Sequence, residues 1–310
     1  MILLILLSGI LLSGIMTILF IGRKDGMQKK MGIKVTLKDG TTIDGEEFVM
    51  GMAAAEIPRM EEEEALRAWI IVCRTNFLKA AGDRKELSQE ELALDYLSYG
   101  QMEANNGKMI CLEYRSRLME ASEKTFGKTL FYGEEMIDAL YHQVSIGKTI
   151  SSKEIYDLDV PYLTSVDSSQ DVESEEYLNT KILTWQDLAG VLSKGDAKVS
   201  EKNCKENLKI EEQTENGYVK LISVNKAKWT GEEWKELFGL TSPYYYLENY
   251  EDRLRIVTLG KGHGMGMSLF GANALAKKGK KAEEILSWYY PGTEIKNTVN
   301  EKNEEKNTRM

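Results

Sequence analysis

Cysteine and histidine are scarce in this chain. Its three cysteines, Cys73, Cys111 and Cys204, are odd in number, far apart and free of any C-x-x-C pair. That spacing argues against a disulfide framework and against a structural zinc site. Cys73 falls within a helical pattern and reads as a small core residue. Any mechanism that needs an imidazole must use His142 or His263, because there are no others. A basic block interleaved with aromatics is also missing and the formal net charge is -9, which excludes nucleic acid as an expected partner. No internal repeat is present. What remains, 310 residues with 42% hydrophobic and 29% charged side chains, suffices for one large domain or two modest ones.

Charge is absent altogether from residues 1–22, a run long enough to cross a bilayer as a helix. Without a clear small-x-small cleavage site after it, the run reads as an uncleaved anchor. Arg23, Lys24, Lys29 and Lys30 follow it, and the charge rule taken alone would put the following domain in the cytoplasm.

Beyond the anchor the pattern predicts an α+β module. Residues 33–37 alternate, Asp39-Gly40 makes a tight turn and residues 41–43 return as a second strand. Asp44 caps a helix predicted to run from about 45 to 56 and to stop before Pro58. A longer helix is predicted over 61–81, with Leu66, Ile70, Cys73 and Phe77 on one apolar face and Gly82 closing it. Further helices are expected at 88–97, 109–126, 230–238, 272–278 and 282–289. Strands are expected at 129–132, 137–144, 217–224, 244–246 and 253–258. Residues 150–215 are polar and acidic and read as a smaller lobe or insertion. The module extends over 23–296, and 297–310 form a polar, frayed tail.

Two segments carry chemical promise. Ala53-Ala54-Ala55-Glu56-Ile57-Pro58 puts one carboxyl group among small and apolar neighbours at a helix end. Desolvation and the carbonyl end of a helix both favour the neutral acid there, the form that protonates a glycosidic oxygen. A solvated helix-terminal Glu is the plain alternative. The second segment, Gly260-Lys261-Gly262-His263-Gly264-Met265-Gly266-Met267-Ser268, cannot be a stable helix interior. It is either a loop whose backbone closely approaches a ligand, with His263 projecting from it, or a tight structural bend.

Together these motifs resemble the stage II sporulation protein D (SpoIID) family. Residues 46–77, EEFVMGMAAAEIPRMEEEEALRAWIIVCRTNF, are similar to its opening signature, and residues 260–295 to its closing one. ALYHQVSIGKT at 139–149 and PYLTSV at 161–166 fall in order between them. The resemblance implies a membrane-anchored lytic transglycosylase acting in spore engulfment outside the cytoplasmic membrane, which outweighs the charge rule. It would cleave the MurNAc–GlcNAc bond of peptidoglycan glycan strands stripped of stem peptides, leaving a 1,6-anhydro end. It would work beside engulfment-complex membrane proteins that include a cell-wall amidase.

The resemblance makes Glu56, in A-A-E-x-P, the catalytic acid, with Arg74, His142, Ser145, His263, Gly264, Gly266, Met267, Ser268 and Tyr290 in the glycan site. Packing is the preferred role for the aromatic pair Tyr289-Tyr290. No cofactor is implied. Some members hold zinc near the His142 segment, but no cysteine stands near it here, so no metal is expected. Trp69, Lys261, Leu269 and Ile146 depart from the family pattern. These departures keep open two other readings, a non-catalytic glycan-binding scaffold or amidase activator, and a membrane-tethered cytoplasmic domain.

Overall fold

The computed structural model describes residues 29–194 and 199–298. The apolar run 1–22 read as an anchor lies outside them, as do residues 299–310. Among the described residues, no helix is long and apolar enough to cross a membrane.

The described chain is a mixture of helices and short strands built around the helix Glu63–Ala81. Glu63 and Glu64 occupy its first turn, and Gly82, at φ 59°, ends it with its N–H on the Leu78 carbonyl. The sequence shows one apolar face, yet thirteen of the nineteen residues are buried. The reason is enclosure. Helices Gly45–Ala54, Lys108–Thr125, Leu269–Lys277 and Ala282–Tyr289 pack on it, as does the strand Lys128–Tyr132. A helix covered on all sides has no need of a polar stripe.

Two small sheets flank this bundle. Lys34–Thr36 pairs antiparallel with Thr42–Asp44 and parallel with Glu86–Ser88. Asp44 caps the next helix through the Glu46 N–H and also holds the Met31 and Gly32 N–H groups. Lys128–Tyr132 lies between Glu135–Met136 and Glu294–Asn297. The last strand extends the ordered chain into the segment read as tail, and Thr298 still donates to the Gly127 carbonyl. The helix expected at 88–97 is one turn, Gln89–Leu92, because Ala93 turns left-handed at φ 49°.

A second hydrophobic core is gathered from Trp185 to Ile256, with Leu188, Ile222 and Trp234 fully enclosed. Two three-stranded antiparallel sheets and three short helices surround it. The polar segment 150–215 supplies only its first part, and Leu163 belongs to the main core instead. Ser151, Thr184 and Ser200 cap the short helices of that segment. These elements are short, and their strands expose one face, which is why they show no long apolar run.

Arg74, which the resemblance places on the glycan, sits in the main core with no exposed surface. Its Nε donates to Glu46 Oε2 at 2.9 Å, and its Nη2 meets Glu46 Oε1. Nη1 donates to the carbonyls of Thr125 at 2.8 Å and Lys128 at 3.2 Å, while Ser122 Oγ donates to Glu46 at 2.6 Å. One guanidinium thus ties three helices and a strand together. Removing one partner of such a pair strands the other without compensation. Arg74→Met is expected to cost about 3–5 kcal/mol in urea unfolding, and a matched Glu46→Leu/Arg74→Met pair to recover most of it.

Candidate active site around Glu56

Helix Gly45–Ala54 ends just before Glu56, and a 3-10 turn, Ile57–Arg59, follows. Glu56 itself sits between them at φ -106°, ψ 0°, in the sparsely populated bridge region. Three contacts hold this junction. Trp69 Nε1 donates to the Ala53 carbonyl at 3.2 Å, and the Tyr141 ring lies edge-on to Trp69 at 4.3 Å. On the other side Asn273 grips the turn, its Nδ2 on the Arg59 carbonyl and its Oδ1 accepting from the Glu62 N–H at 3.1 Å.

The Glu56 side chain is 13% exposed and both oxygens are engaged. Gln143 Nε2 donates to Oε1 at 3.0 Å, and Arg59 Nη1 to Oε2 at 2.9 Å. The expected apolar setting is therefore only partial: Ala53 and Ala54 before it are buried, but its oxygens face an amide and a guanidinium. Arg59 also donates to both oxygens of Glu176, at 3.0 and 3.1 Å, and Lys261 Nζ reaches the same carboxylate at 2.5 Å. The hydrogen bond from Arg59, with Lys261 adding to it against partial burial, holds the Glu176 carboxyl down at about 2.

The glycine-dense loop lies against the 140–145 segment. Met267–Ser268 pairs in parallel with Tyr141–His142, and the Gln143 and Val144 N–H groups donate to the Lys261 carbonyl. A Cβ on Gly266 would stand 1.9 Å from the Leu140 carbonyl oxygen, and one on Gly262 would stand 2.7 Å from the His142 Cβ. The glycines thus admit another stretch of this chain, as the structural-bend alternative requires.

The other residues placed on the glycan by resemblance form a floor where the glycine loop lies on the 140–145 segment. His142 is 1% exposed, its Nδ1–H donating to the Met265 carbonyl at 3.0 Å while Nε2 finds no partner among the described residues. Burial, aided by His263 with ring centroids 6.0 Å apart, pushes the His142 imidazole down to about 3. His263 accepts the Met265 N–H on its Nδ1 at 3.1 Å, and it too is lowered by burial. It is half-buried, whereas Gly264, Gly266, Met267, Ser268, Ser145 and Tyr290 are buried. The Tyr290 hydroxyl donates to the Leu140 carbonyl at 2.6 Å, a packing role.

Sequence reading missed Asp171. Fully buried, it accepts the Ser145 N–H and the Ser268 hydroxyl, both at 2.6 Å, and the Ser168 hydroxyl at 3.1 Å. Ser168 in turn meets the Tyr289 hydroxyl at 2.9 Å. Burial raises the Asp171 carboxyl while the three serines oppose the shift. Asp171 comes from an acidic stretch where nothing marks one acid from the rest. Arg59, Gln143, Glu176 and Asn273 were likewise unmarked, since each acquires its role only through tertiary contact. No group of three or more metal-ligating side chains occurs among the described residues.

Two predictions follow from this floor. An unfolded chain protonates histidine near pH 6.5, whereas folded His142 resists protonation down to about pH 3. The unfolded state therefore binds more protons in between, and the stability His142 confers above pH 6.5 is lost as pH falls through that window. His142→Asn, whose amide can still donate to Met265, should flatten the slope of the urea midpoint between pH 7 and 4. Gly266→Ala should destabilise by more than about 2 kcal/mol, since it adds a backbone clash to the left-handed cost. Gly133→Ala, also at positive φ but facing open space, should lose only about 1–2 kcal/mol in the same assay.

Comparison with known proteins gives the family. The family model described as Stage II sporulation protein (SpoIID) matches residues 35–132, from the first strand through the Glu56 turn to the strand Lys128–Tyr132. Stage II sporulation protein D of Bacillus subtilis (strain 168) is 30% identical over 261 residues, covering 81% of this chain and 74% of that protein. The protein of the same name from Bacillus amyloliquefaciens is also 30% identical, over 81% and 73%. An amidase enhancer of Bacillus subtilis (strain 168) is 25% identical over 79% of this chain and 40% of its own length. With the Glu56 turn inside the matched family model and 30% identity to stage II sporulation protein D over 81% of its length, this chain belongs to the stage II sporulation protein D family.

Proposed function

We propose that this protein is a lytic transglycosylase that cleaves the MurNAc–GlcNAc bond of glycan strands during spore engulfment, with Glu56 as its single acid and base. The observation that carries the reading is the convergence on one partly exposed carboxyl group of side chains from the opening, middle and closing motifs. Arg59, Gln143 and Asn273 position that group or its turn.

In the proposed reaction the Glu56 carboxyl donates its proton to the glycosidic oxygen as that bond to the muramic C1 breaks. The C6 hydroxyl of the same sugar attacks C1, and the Glu56 carboxylate takes the hydroxyl proton. The nucleophile is already tethered, so proximity is built into the substrate. A hydrolase would instead need a second free carboxylate to activate water or to attack. Beside Glu56 the neighbouring carboxylate is Glu176, and it is committed to Arg59 and Lys261. This commitment supports a one-acid route.

On this reading the buried motif residues hold the floor. Glycan contact falls to Glu56, Arg59, Gln143 and Lys261, which keep surface at the site. The domain acts outside the cytoplasmic membrane, tethered by the apolar segment 1–22, on strands stripped of stem peptides and beside a cell-wall amidase. No cofactor enters the scheme. A second reading, activation of an amidase without cleavage, is favoured by the similarity to an amidase enhancer.

Glu56→Gln keeps the shape and removes the proton. Incubation with purified glycan strands and mass spectrometry of the products should show anhydro-muropeptides, lighter by one water than hydrolytic products, with the wild type. Their yield should fall at least about 10²-fold with the variant. Unchanged cleavage by Glu56→Gln would remove the assignment. Wild-type protein that makes no anhydro product but accelerates an added amidase, as the variant also would, would establish the second reading.

A further inference from the structure

We propose that Glu176 is a positioning residue for Glu56: it holds Arg59 in a two-point fork and so sets how strongly that guanidinium bears on the carboxyl group which the preceding reading makes the acid.

The geometry is built from rigid parts. Strand Leu178–Leu183 pairs with Arg253–Leu259 in a register that sets Leu178 opposite Leu259. The next N–H, on Gly260, donates to the Tyr177 carbonyl at 2.7 Å. One step further the side chains of Glu176 and Lys261 meet, so this ion pair prolongs the sheet. Arg59 is equally fixed, because Asn273 holds its carbonyl. Arg59 spends two N–H donors on Glu176 and one on Glu56. Planar two-point pairing is the stronger and more directional of these contacts. Lys261 shares Glu176 Oε1 with Arg59 and keeps Glu176 from turning away.

The groups that face Glu56 are therefore few. Arg59 comes from its own turn, Glu176 and Lys261 from the sheet edge beyond it, and neutral Gln143 from the middle motif. Helix Glu63–Ala81 contributes Cys73, and the paired segment contributes Tyr141; burial raises both, so they stay uncharged near neutrality. With Glu56 ionised, two carboxylates balance two cations. Removing the Glu176 charge leaves two cations facing one carboxylate and frees Arg59 to pair with it alone. Both changes favour the ionised form of Glu56 over the proton-bearing form that starts the reaction.

The test compares full-length wild type, Glu176→Gln and Glu176→Asp across pH. For Glu176→Gln the alkaline limb of anhydro-product formation should move toward acid by about one pH unit. That means a roughly tenfold loss above the limb and little loss below it. Glu176→Asp should restore most of the wild-type limb. An unmoved limb, or a loss equal at every pH, would overturn the proposal, since a merely structural role lowers activity uniformly. A second readout is independent of turnover: the titration of the Glu56 carboxyl carbon by ¹³C NMR, its signal assigned by its absence in Glu56→Gln. Its midpoint should move with the limb, and a midpoint that stays in place in Glu176→Gln refutes the proposal. A midpoint that moves while Glu56→Gln cleaves glycan normally would leave the linkage standing and remove the transglycosylase reading instead.

Discussion

The site depends on one close approach of backbone to backbone, where the glycine loop 260–266 lies on the segment Leu140–Ser145. Side chains at Gly262 and Gly266 would occupy space already filled by His142 and by the Leu140 carbonyl. Because the loop has none there, Met267–Ser268 can pair with Tyr141–His142, and the Lys261 carbonyl can take two N–H groups. From that contact Gln143 is aimed at Glu56 and Lys261 at Glu176. The same contact buries His142 deeply enough to keep its imidazole neutral. Glycine here serves the fit between distant parts of the chain, and the chemistry inherits the alignment.

Beneath it, polar groups are tied in rather than avoided. A buried carboxyl group is costly unless hydrogen bonds surround it, and Asp171 collects three donors from three separate stretches of sequence. Glu46 is treated similarly with Arg74 and Ser122. Both are interior clamps, one under the glycine loop and one against the middle of helix Glu63–Ala81. Glu56 differs from them in being partly exposed and in having a cation shared with another acid. That contrast separates the carboxyl group proposed as the acid from those that only hold the fold.

Much of the fold was legible wherever periodicity or capping speaks for itself. The hairpin at 34–44, the Asp44 cap, the helix through Arg74 and the helices after Ser268 all follow from local pattern. Glu56 was legible through its motif, and its place at a helix end follows from Pro58. The floor was legible only in part. Ser145 and Ser268 were marked by their motifs, but Asp171, the carboxylate that joins them, was not, because no window of sequence reveals its burial. Arg74 shows the same limit from the other side. Its motif marks it as significant, but only the packing around it shows that its partner is Glu46 rather than a ligand. The second core was legible only in pieces: its strands at 217–224 and 253–258 and its helix at 230–238 were expected, but their joining with Trp185 and Leu188 from the polar segment was not.

The departures from the family pattern find separate physical accounts. Trp69 fills the core and spends its indole N–H on the helix end before Glu56, so a large apolar residue there still supports the acid-bearing turn. Leu269 is fully buried in the first turn of its helix, where a polar side chain would need a partner. Lys261 alone changes the electrostatics at the site, and its charge is met by Glu176 at the facing strand edge. An uncompensated cation there would add to Arg59 and draw Glu56 toward the ionised form. The pairing gives that charge a carboxylate partner of its own, so a lysine can stand in this loop.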